Sequence, residues 1–267
     1  MKKMLAMLLA AMLVLAVAVP AMAEDDSLKK IEEKGTFILG LDDSFEPMGY
    51  RDENNEIVGF DIDLAKEVCQ RLGVELVLQP ISWDAKEMEL SSGNIDCIWN
   101  GMSDTPERQE AMSLSMDYLN NAMVFLVKDP AIKSREDLVG KKVGVQSGSY
   151  AQELLEGEDF ADYYKSLGEV LGYADYPTAI MDLQNGNIEA VLIDQVVANY
   201  KLKDIGDASL FTVDNLADDF YAIGFRKEDV ALRDKVNEIL TAMAKDGKVA
   251  EISAKWFGSD ISLITAG

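Results

Sequence analysis

One short pattern occurs twice in this chain, and the repetition limits the folds open to it more than any other feature. Residues 90–98 (LSSGNIDCI) align with residues 183–191 (LQNGNIEAV) at a constant offset of 93 positions. Each copy has the features of a helix that ends at a glycine and is followed at once by a short buried strand. We therefore expect two lobes built from the same unit.

The segments around these copies alternate in type, which predicts an α/β fold with mainly parallel strands. The predicted strands include 36–41, 74–78 and 95–99. Asp61 is predicted to cap the helix that precedes the second of these strands, and residues 84–90 form a further predicted helix. Residues 52–56 (DENNE) superficially fit a calcium loop, but Ile57 stands where that loop needs glycine, so we predict a solvated turn and no metal.

The repeat also predicts where a ligand would bind. Gly101 and Asp194 occupy equivalent places, just past the ends of equivalent strands. Ligands of open α/β sheets bind outside the carboxyl ends of the strands. Two facing lobes would therefore place Gly101 and Asp194 on opposite walls of one cleft.

Two apolar stretches are predicted to connect the lobes. Residues 118–127 would leave the first lobe as a strand, and residues 219–225 would return to it. The helices predicted near 230–244 and 248–256 would then rejoin the first lobe. The expected organisation is a first lobe of 24–120 and 218–267 and a second lobe of 121–217.

The N-terminal residues have the features of a cleavable signal peptide. Lys2 and Lys3 precede the apolar run 4–19, and residues 21–23 give an A-x-A cleavage site. No cysteine lies at that site, so no lipid anchor is expected. We predict a signal peptide at 1–23 and a periplasmic or secreted mature protein.

Charge and residue usage exclude several functions. The formal net charge of −23 argues against nucleic acid or an anionic membrane as a partner. The absence of histidine excludes Ser-His-Asp and Cys-His catalysis and the usual zinc sites, and no cofactor is predicted. Cys69 and Cys97 are expected to be buried thiols in the first lobe, with a disulfide as the alternative in an exported protein.

Two motifs carry a resemblance to a known family. The stretches 59–64 (GFDIDL) and 103–108 (SDTPER) resemble the polar amino acid-binding proteins of ABC transporters, the bacterial extracellular solute-binding proteins of family 3, and the resemblance runs from about residue 35 to about residue 261. It implies a two-lobed periplasmic-binding-protein fold of type II, with two hinge strands and a ligand cleft between the lobes. It also implies capture of a free amino acid by a monomer and delivery to an ABC permease.

The resemblance assigns the two charged ends of the ligand. Arg108 stands where relatives hold the α-carboxylate, and a guanidinium can form two parallel charge-assisted hydrogen bonds to such a group. The local pattern alone would favour a surface arginine paired with Glu107 or Glu110. Asp194 stands where relatives receive the α-ammonium, whereas its position before a predicted helix also suits a helix cap.

Further positions match the family site. The resemblance places Asp42 at the ligand side chain, Phe45 and Trp83 around its aliphatic part, and Gly101, Ser103 and Ser149 at its α-groups; ordinary core packing is the alternative for the two aromatic residues. Three positions depart from the commoner family pattern and are weaker candidates for ligand contact: Asn100, Gln146 and Tyr150.

A ligand with a donor-bearing side chain is expected because Asp42 is a carboxylate. Arginine, lysine or glutamine come first, and cystine is a further candidate. Two alternatives remain at this point: a periplasmic dehydratase of the cyclohexadienyl or prephenate type on the same scaffold, which would use the charged residues for acid–base chemistry, and a ligand sensor that acts with a separate membrane receptor. The retained pair of Arg108 and Asp194 argues for an amino acid ligand and against the dehydratase.

Overall fold

The strands of the chain alternate with helices, as the sequence predicts. A computed structural model describes residues 25–205 and 209–266; the predicted signal peptide lies outside the described residues. The strands are β1 (Thr36–Leu41), β2 (Ser44–Phe45), β3 (Gly49–Arg51), β4 (Ile57–Val58), β5 (Glu75–Pro80), β6 (Cys97–Ser103), β7 (Ser113–Leu114), β8 (Leu119–Val127), β9 (Lys142–Gln146), β10 (Glu169–Tyr173), β11 (Ala190–Asp194) and β12 (Phe211–Phe225).

The helices cover both faces of this sheet structure. They are α1 (Ser27–Lys34), α2 (Phe60–Leu72), α3 (Lys86–Ser91), α4 (Pro106–Ala111), α5 (Tyr150–Glu156), α6 (Ala161–Ser166), α7 (Tyr176–Asn185), α8 (Gln195–Ile205), α9 (Val230–Lys245) and α10 (Lys248–Phe257), with 3-10 turns at Trp83–Ala85, Arg135–Leu138 and Glu158–Phe160. Among the described residues, no helix combines the length and the apolar character that crossing a bilayer requires.

One large sheet carries two parallel units joined by an antiparallel pair. Its strand order is β10-β9-β11-β8-β12-β6-β1-β5, with β7 paired to β12 at the side. β1 pairs in parallel with β5 and β6, and β9 pairs in parallel with β10 and β11. We call β5, β1 and β6 with the helices packed on them the first region, and β10, β9 and β11 with theirs the second region.

The two long strands β8 and β12 connect these regions. They pair with each other from Leu119 to Val127 on β8, while β8 also pairs with β11 and β12 also pairs with β6. The returning strand begins at Phe211, earlier than the predicted 219, because it pairs with β8 along that strand's whole length. Near the C-terminus, α9 packs on α1 and α2, and α10 packs on α2, so this segment rejoins the first region.

The repeated sequence pattern forms the same turn twice. Gly93 and Gly186 have φ angles of 78° and 74°, in the left-handed region that glycine adopts without strain. Their N–H groups donate to the carbonyls of Leu90 and Leu183, each at 3.1 Å. In both copies the next strand lies parallel to its neighbour, which confirms the predicted repetition of one unit.

Two details of the sequence prediction are wrong. β6 runs from Cys97 to Ser103 rather than ending near 99, so Gly101 lies inside the strand and not past its end. The strand continues through Asn100 and Ser103 because both polar side chains have partners: Asn100 accepts the Asp42 N–H, and Ser103 donates to Asp219. Gly59, not Asp61, precedes α2 as its cap; at Gly59 φ is 148° and a Cβ would lie 2.1 Å from the Met48 carbonyl oxygen, so no other residue fits.

The first region holds both cysteines in its core. Cys69 and Cys97 are buried free thiols, as expected for the simpler of the two alternatives. Burial raises the pKa of the Cys69 thiol to about 12. A thiol with such a pKa is almost entirely protonated near neutral pH and is a poor nucleophile.

Candidate functional site

A cavity between the first and second regions brings most of the predicted site residues together. Its lining consists of Phe45, Trp83, Gly101, Ser103, Arg108, Gln146, Ser149, Tyr150 and Asp194. These residues come from both regions, so the cavity exists only where the two regions meet. Two predicted residues are not part of this lining: Asp42 is bonded to the lining residue Gln146, and Asn100 is bonded to Asp42.

Arg108 is fixed by the start of a short helix. Thr105 caps α4, with its hydroxyl oxygen accepting from the Arg108 N–H at 3.3 Å, and Pro106 takes the first helical position, as predicted. The guanidinium is buried; Nη1 donates to the Ser103 carbonyl at 3.0 Å, and Nη2 donates to Glu153 Oε1 at 2.8 Å. Nε is buried without a hydrogen-bond partner among the described residues.

The partner of Arg108 therefore belongs to the second region. Sequence reasoning gave Glu107 or Glu110 as the alternative partner, but the structure places Glu153 there. The Glu153 side chain is 39% exposed, whereas the Arg108 side chain is 3% exposed. A ligand carboxylate at this point would meet a guanidinium that is already desolvated and held in place, and such preorganisation lowers the entropic loss on binding.

Asp194 is the buried anion of the cavity. It is the last residue of β11, and its Oδ1 accepts hydrogen bonds from Asn121 Nδ2 at 2.7 Å and from the Tyr221 hydroxyl at 2.8 Å. Burial, and then the negative charge of Asp219, raises the pKa of Asp194 to about 7. A bound cation would favour the ionised form of this carboxyl group.

A hydrogen bond from the Gly101 N–H holds the backbone of Gly101 in one orientation. Its N–H donates to Asp61 Oδ2 at 2.7 Å, which leaves only the carbonyl oxygen for a ligand. Its φ is 57°, and a Cβ would lie 2.7 Å from Phe45 Cε1 and 3.0 Å from Tyr221 Cε2. Any contact from Gly101 to a ligand would therefore be made by an acceptor, which suits an ammonium group.

The serines of the cavity have different partners. Ser103 Oγ donates to Asp219 Oδ2 at 2.8 Å. Ser149 Oγ donates to the Gln146 carbonyl at 2.8 Å and caps α5, whose first residue, Tyr150, is half-buried. The loop 146–149 is thus fixed by internal hydrogen bonds.

Asp42 and Gln146 meet where the first region faces the second. Gln146 Nε2 donates to Asp42 Oδ2 at 2.6 Å, and the Ser44 hydroxyl donates to Asp42 Oδ1 at 2.6 Å. Asn100 supports this arrangement from behind, because its Oδ1 accepts the Asp42 N–H at 3.0 Å. Burial raises the pKa of Asp42.

Lys86 is a functional candidate that sequence reasoning missed. It is 3% exposed, its Nζ donates to the Gly148 carbonyl at 2.7 Å, and it lies 5.3 Å from the centroid of the Trp83 ring. Burial, and then the positive charge of Arg108, lowers the pKa of Lys86 to about 8. The signal in the sequence was weak, since a lysine early in a short helix is usually exposed.

Asn121 and Asp219 were also missed as site residues. Both are buried, and they face each other in the register of β8 and β12. A signal was present in the sequence, because the doublets 120–121 (NN) and 218–219 (DD) interrupt strands that are otherwise mainly apolar. Buried polar residues in a strand need specific partners.

Opposite charges thus share one small cavity. Arg108 supplies a cation from the first region and Asp194 an anion from the second, and Asp42 adds a second carboxylate near the lining. This arrangement presents one charge of each sign to the two ends of a small zwitterion, and a ligand larger than a water molecule would widen the cavity, whose volume is about 10 Å³. Among the described residues, no group of acidic and sulfur ligands is placed to hold a metal ion.

Comparisons with known proteins agree with this chemistry. The model of the bacterial extracellular solute-binding proteins, family 3, matches residues 37–259. The L-cystine-binding protein TcyJ of Escherichia coli K12 is 31% identical over 261 residues, covering 95% of this chain and 94% of that protein. The ABC transporter arginine-binding protein 1 of the same strain is 32% identical over 224 residues, covering 82% and 89%.

A solved structure extends the likeness to the fold. The substrate-binding protein of an ABC uptake transporter from Streptococcus pneumoniae, solved with bound histidine, superposes with a TM-score of 0.83. It is 38% identical, and the match covers 89% of this chain and 98% of that chain. The likeness therefore spans both regions and the strands that join them.

Proposed function

This chain belongs to family 3 of the bacterial extracellular solute-binding proteins, and we propose that it captures a polar L-amino acid outside the cytoplasm and delivers it to an ABC permease. The α/β fold predicted from the sequence is confirmed, as a fold of the two-lobed periplasmic binding proteins. The predicted signal peptide supports export, and the named relatives are binding proteins rather than enzymes.

The observation that carries this proposal is the pairing of opposite charges across one cavity. The α-carboxylate would bind Arg108. The α-ammonium has three N–H groups, and three acceptors are available for them: the Gly101 carbonyl, Ser103 Oγ and Asp194. Each charged end of the ligand would then exchange its water for a fixed partner of opposite sign.

Capture would couple to closure of two lobes. Arg108 and Asp194 belong to different regions, so neither region alone offers both charges, and a ligand would favour the closed arrangement because it binds that arrangement better. The assigned lobes are 24–120 with 218–267, and 121–217. The separation of the two parallel units by β8 and β12 supports this division.

The ligand side chain would point towards Asp42 and Gln146. A carboxylate and an amide at the end of the cavity suit a side chain with donor groups, so arginine, lysine and glutamine come first. The relatives named for arginine and for cystine support arginine and keep cystine as a candidate. Phe45 and Trp83 line the cavity and would cover the aliphatic part of such a side chain.

We expect Asp42→Ala to change selectivity more than general affinity. Affinity for L-arginine or L-glutamine should fall about tenfold or more, while affinity for L-alanine, which does not reach Asp42, should fall only by the smaller amount that loss of the Gln146 bond costs the closed arrangement. Calorimetric titration with each amino acid measures this. Asp43→Ala is the matched control, since Asp43 pairs with Arg51 outside the cavity. Equal losses for all three ligands would place Asp42 at the common α-group site.

We expect Lys86→Met to weaken amino acid binding about threefold to tenfold, because the closed arrangement loses a charged hydrogen bond to Gly148 while the methionine preserves the packing on Trp83. Affinity of the unmodified protein should also fall above about pH 8, where Lys86 loses its proton. Titration of both proteins with L-arginine measures this. Lys66→Met, on the exposed surface of α2, is the control; equal affinities of the Lys86 and Lys66 variants would contradict the assignment.

The experiment that tests the function is a thermal-shift screen of the purified exported protein against the twenty amino acids, cystine and ornithine. The protein is first unfolded and refolded to remove any ligand. A ligand at one hundred times its dissociation constant should stabilise the protein by about 2.7 kcal/mol. A shift with one amino acid or a related small set supports the proposal, and no shift with any of them contradicts it.

The two alternative functions differ from this proposal in what they predict. A dehydratase would convert prephenate-like acids, so product formation during incubation with such acids would favour it. A sensor would bind the same class of ligand but would need a membrane receptor in place of a permease. The retained pair of Arg108 and Asp194 favours binding of an amino acid over dehydration.

A further inference from the structure

Asp219 lies beside the cavity and is bonded to one of its lining residues. It is 3% exposed, and its Oδ2 accepts hydrogen bonds from Ser103 Oγ and from Asn121 Nδ2, each at 2.8 Å. Its Oδ1 is buried and has no hydrogen-bond partner among the described residues. A buried carboxylate that keeps one oxygen unpartnered is costly, so its presence needs a reason.

Asn121 joins this carboxylate to the anion of the cavity. Its second amide proton goes to Asp194 Oδ1 at 2.7 Å, and its own oxygen accepts the Val196 N–H at 3.3 Å. The bond from Val196 fixes which end of the amide is oxygen, so both N–H groups must face acids. A single amide group therefore bridges Asp194 and Asp219.

The direction of the Ser103 hydrogen bond also has a consequence. An ionised carboxylate can only accept, so the Ser103 hydroxyl proton points at Asp219. Ser103 Oγ then offers only lone pairs to the cavity. It can accept from an ammonium group, and it has no proton left to donate to a carboxylate.

We propose that Asp219 is a positioning residue of the ammonium subsite, which sets Ser103 as an acceptor and, with Asp194 on the other side of Asn121, keeps on the pair of carboxyl groups a proton that the bound ammonium displaces. This inference rests on the proposed function and deepens it. Binding would release a proton near neutral pH without any change in covalent bonds. The proton leaves to solvent as the ligand's positive charge replaces it beside the two carboxylates.

The titration of the pair supports this proposal. Burial raises the pKa of Asp219 to about 6, an effect that its hydrogen bonds and the charge of Arg108 oppose, and the pKa of Asp194 is raised to about 7. The titratable and charged groups that face the pair are Arg108, Asp117, Tyr118, Tyr150, Tyr176 and Tyr221.

The four tyrosines around the pair do not provide the proton. Burial raises the pKa of each of the four tyrosines above its ordinary value, so they stay protonated near neutral pH. Asp117 has a pKa raised to about 6 by burial and by Asp104, and Asp61, which accepts the Gly101 N–H, has a pKa raised to about 7 by burial, so both titrate in the range of the pair. Asp117→Asn therefore belongs in the test, to remove its contribution.

The sign of the effect follows from these values. Without ligand, the pair holds protons below about pH 7; with an ammonium bound, both carboxylates are ionised. The ligand therefore binds more tightly as pH rises from 5 to about 7.5, and the gain ends above that pH. Protons are released on binding at pH 6 and almost none at pH 8.

The test is calorimetric titration of the whole exported protein with L-glutamine, L-arginine and L-cystine in buffers of different ionisation enthalpy. About one proton should be released per ligand at pH 6 and close to none at pH 8. Asp117→Asn should release the same number as the unmodified protein. This measurement needs no variant of Asp219, so it stands even if such a variant folds poorly.

Asp219→Asn tests the residue itself. It should weaken binding about tenfold at pH 8 and should reduce proton release at pH 6, because the neighbouring negative charge that raises the pKa of Asp194 is gone. Ser103→Ala should cost much less affinity in an Asp219→Ala background, which lacks the acceptor that orients the Ser103 hydroxyl, than in the unmodified protein. Asp218→Asn is the matched control, since Asp218 is the exposed preceding residue on the same strand.

The outcomes separate the two proposals. Binding of an amino acid with no proton release at pH 6, or an Asp219→Asn variant that binds and releases protons as the unmodified protein does, would overturn the role of Asp219 and leave the proposed function standing. Failure of all three amino acids to bind the unmodified protein would overturn both. If Asp219 had only a structural role, Asp219→Asn would lower the melting temperature and would leave the number of protons released on binding unchanged.

Discussion

Arg108→Ala should abolish measurable binding of every α-amino acid, with a loss of more than about a hundredfold in affinity. The buried guanidinium is the cation that the lining presents to a carboxylate, and removing it would leave the ligand's negative charge desolvated without a partner. Breaking one side of a buried ion pair costs about 3–5 kcal/mol. Calorimetric titration with the amino acids that shift the melting temperature of the unmodified protein measures the loss.

Two further variants locate the cause of that loss. Arg108→Lys keeps the charge but cannot form two parallel hydrogen bonds, so its affinity should lie between those of the alanine variant and the unmodified protein. Arg71→Ala removes a surface arginine that pairs with Glu67 and Asp246, and it should leave binding unchanged. Retained affinity in Arg108→Ala would remove the carboxylate assignment.

Asp194→Asn should weaken amino acid binding by well over tenfold. The substitution keeps the shape of the side chain and its hydrogen bonds to Asn121 and Tyr221 can largely re-form, so the loss reports the missing negative charge opposite the ammonium. An uncompensated buried ammonium is costly. Titration at pH 8, where Asp194 is ionised in the unmodified protein, gives the largest difference.

Without ligand, Asp194→Asn should change the stability of the folded protein. The pKa of Asp194 is raised in the folded protein, so folded Asp194 holds a proton that the unfolded chain has lost between about pH 4 and pH 7. Stability therefore falls as pH rises through that range. Asp194→Asn should raise the melting temperature of the ligand-free protein at pH 8 while it removes the ligand-induced shift.

The exposed Asp162 of the second region provides a control for both readouts. Asp162→Asn should change neither affinity nor the ligand-free melting temperature by a measurable amount, since exposed substitutions of this kind have small effects. An Asp194→Asn variant that binds as tightly as Asp162→Asn would contradict the ammonium assignment. Opposite effects on stability and on binding would follow the trade-off expected at a site that keeps buried charge for function.

Local signals in the sequence predicted much of the fold and several of the site's positions. The turn at Gly93 and Gly186 depends on a helix end and a glycine a few residues apart, and such patterns lie within one short window. The start of α4 at Pro106 was predicted for the same reason, with Thr105 as its cap. Features fixed by neighbours along the chain are accessible to sequence reasoning.

Features that depend on residues far along the chain could not be predicted from the sequence. Asp61 was assigned to a helix cap because an acid often caps a helix, yet it is buried and accepts the Gly101 N–H. Asn121, Asp219 and Lys86 each gained their partners from segments far along the chain. A sequence indicates that a polar residue in an apolar strand needs a partner, but the partner is set by sheet order and register.

The central claim is that one amino acid binds with its carboxylate at Arg108 and its ammonium at Asp194, and a crystal structure of the protein with the amino acid selected by the thermal-shift screen tests it most directly. We expect the carboxylate within hydrogen-bond distance of Arg108, the ammonium bonded to the Gly101 carbonyl, Ser103 Oγ and Asp194, and the side chain directed towards Asp42. A ligand bound in the reverse orientation, or outside this cavity, would contradict the account.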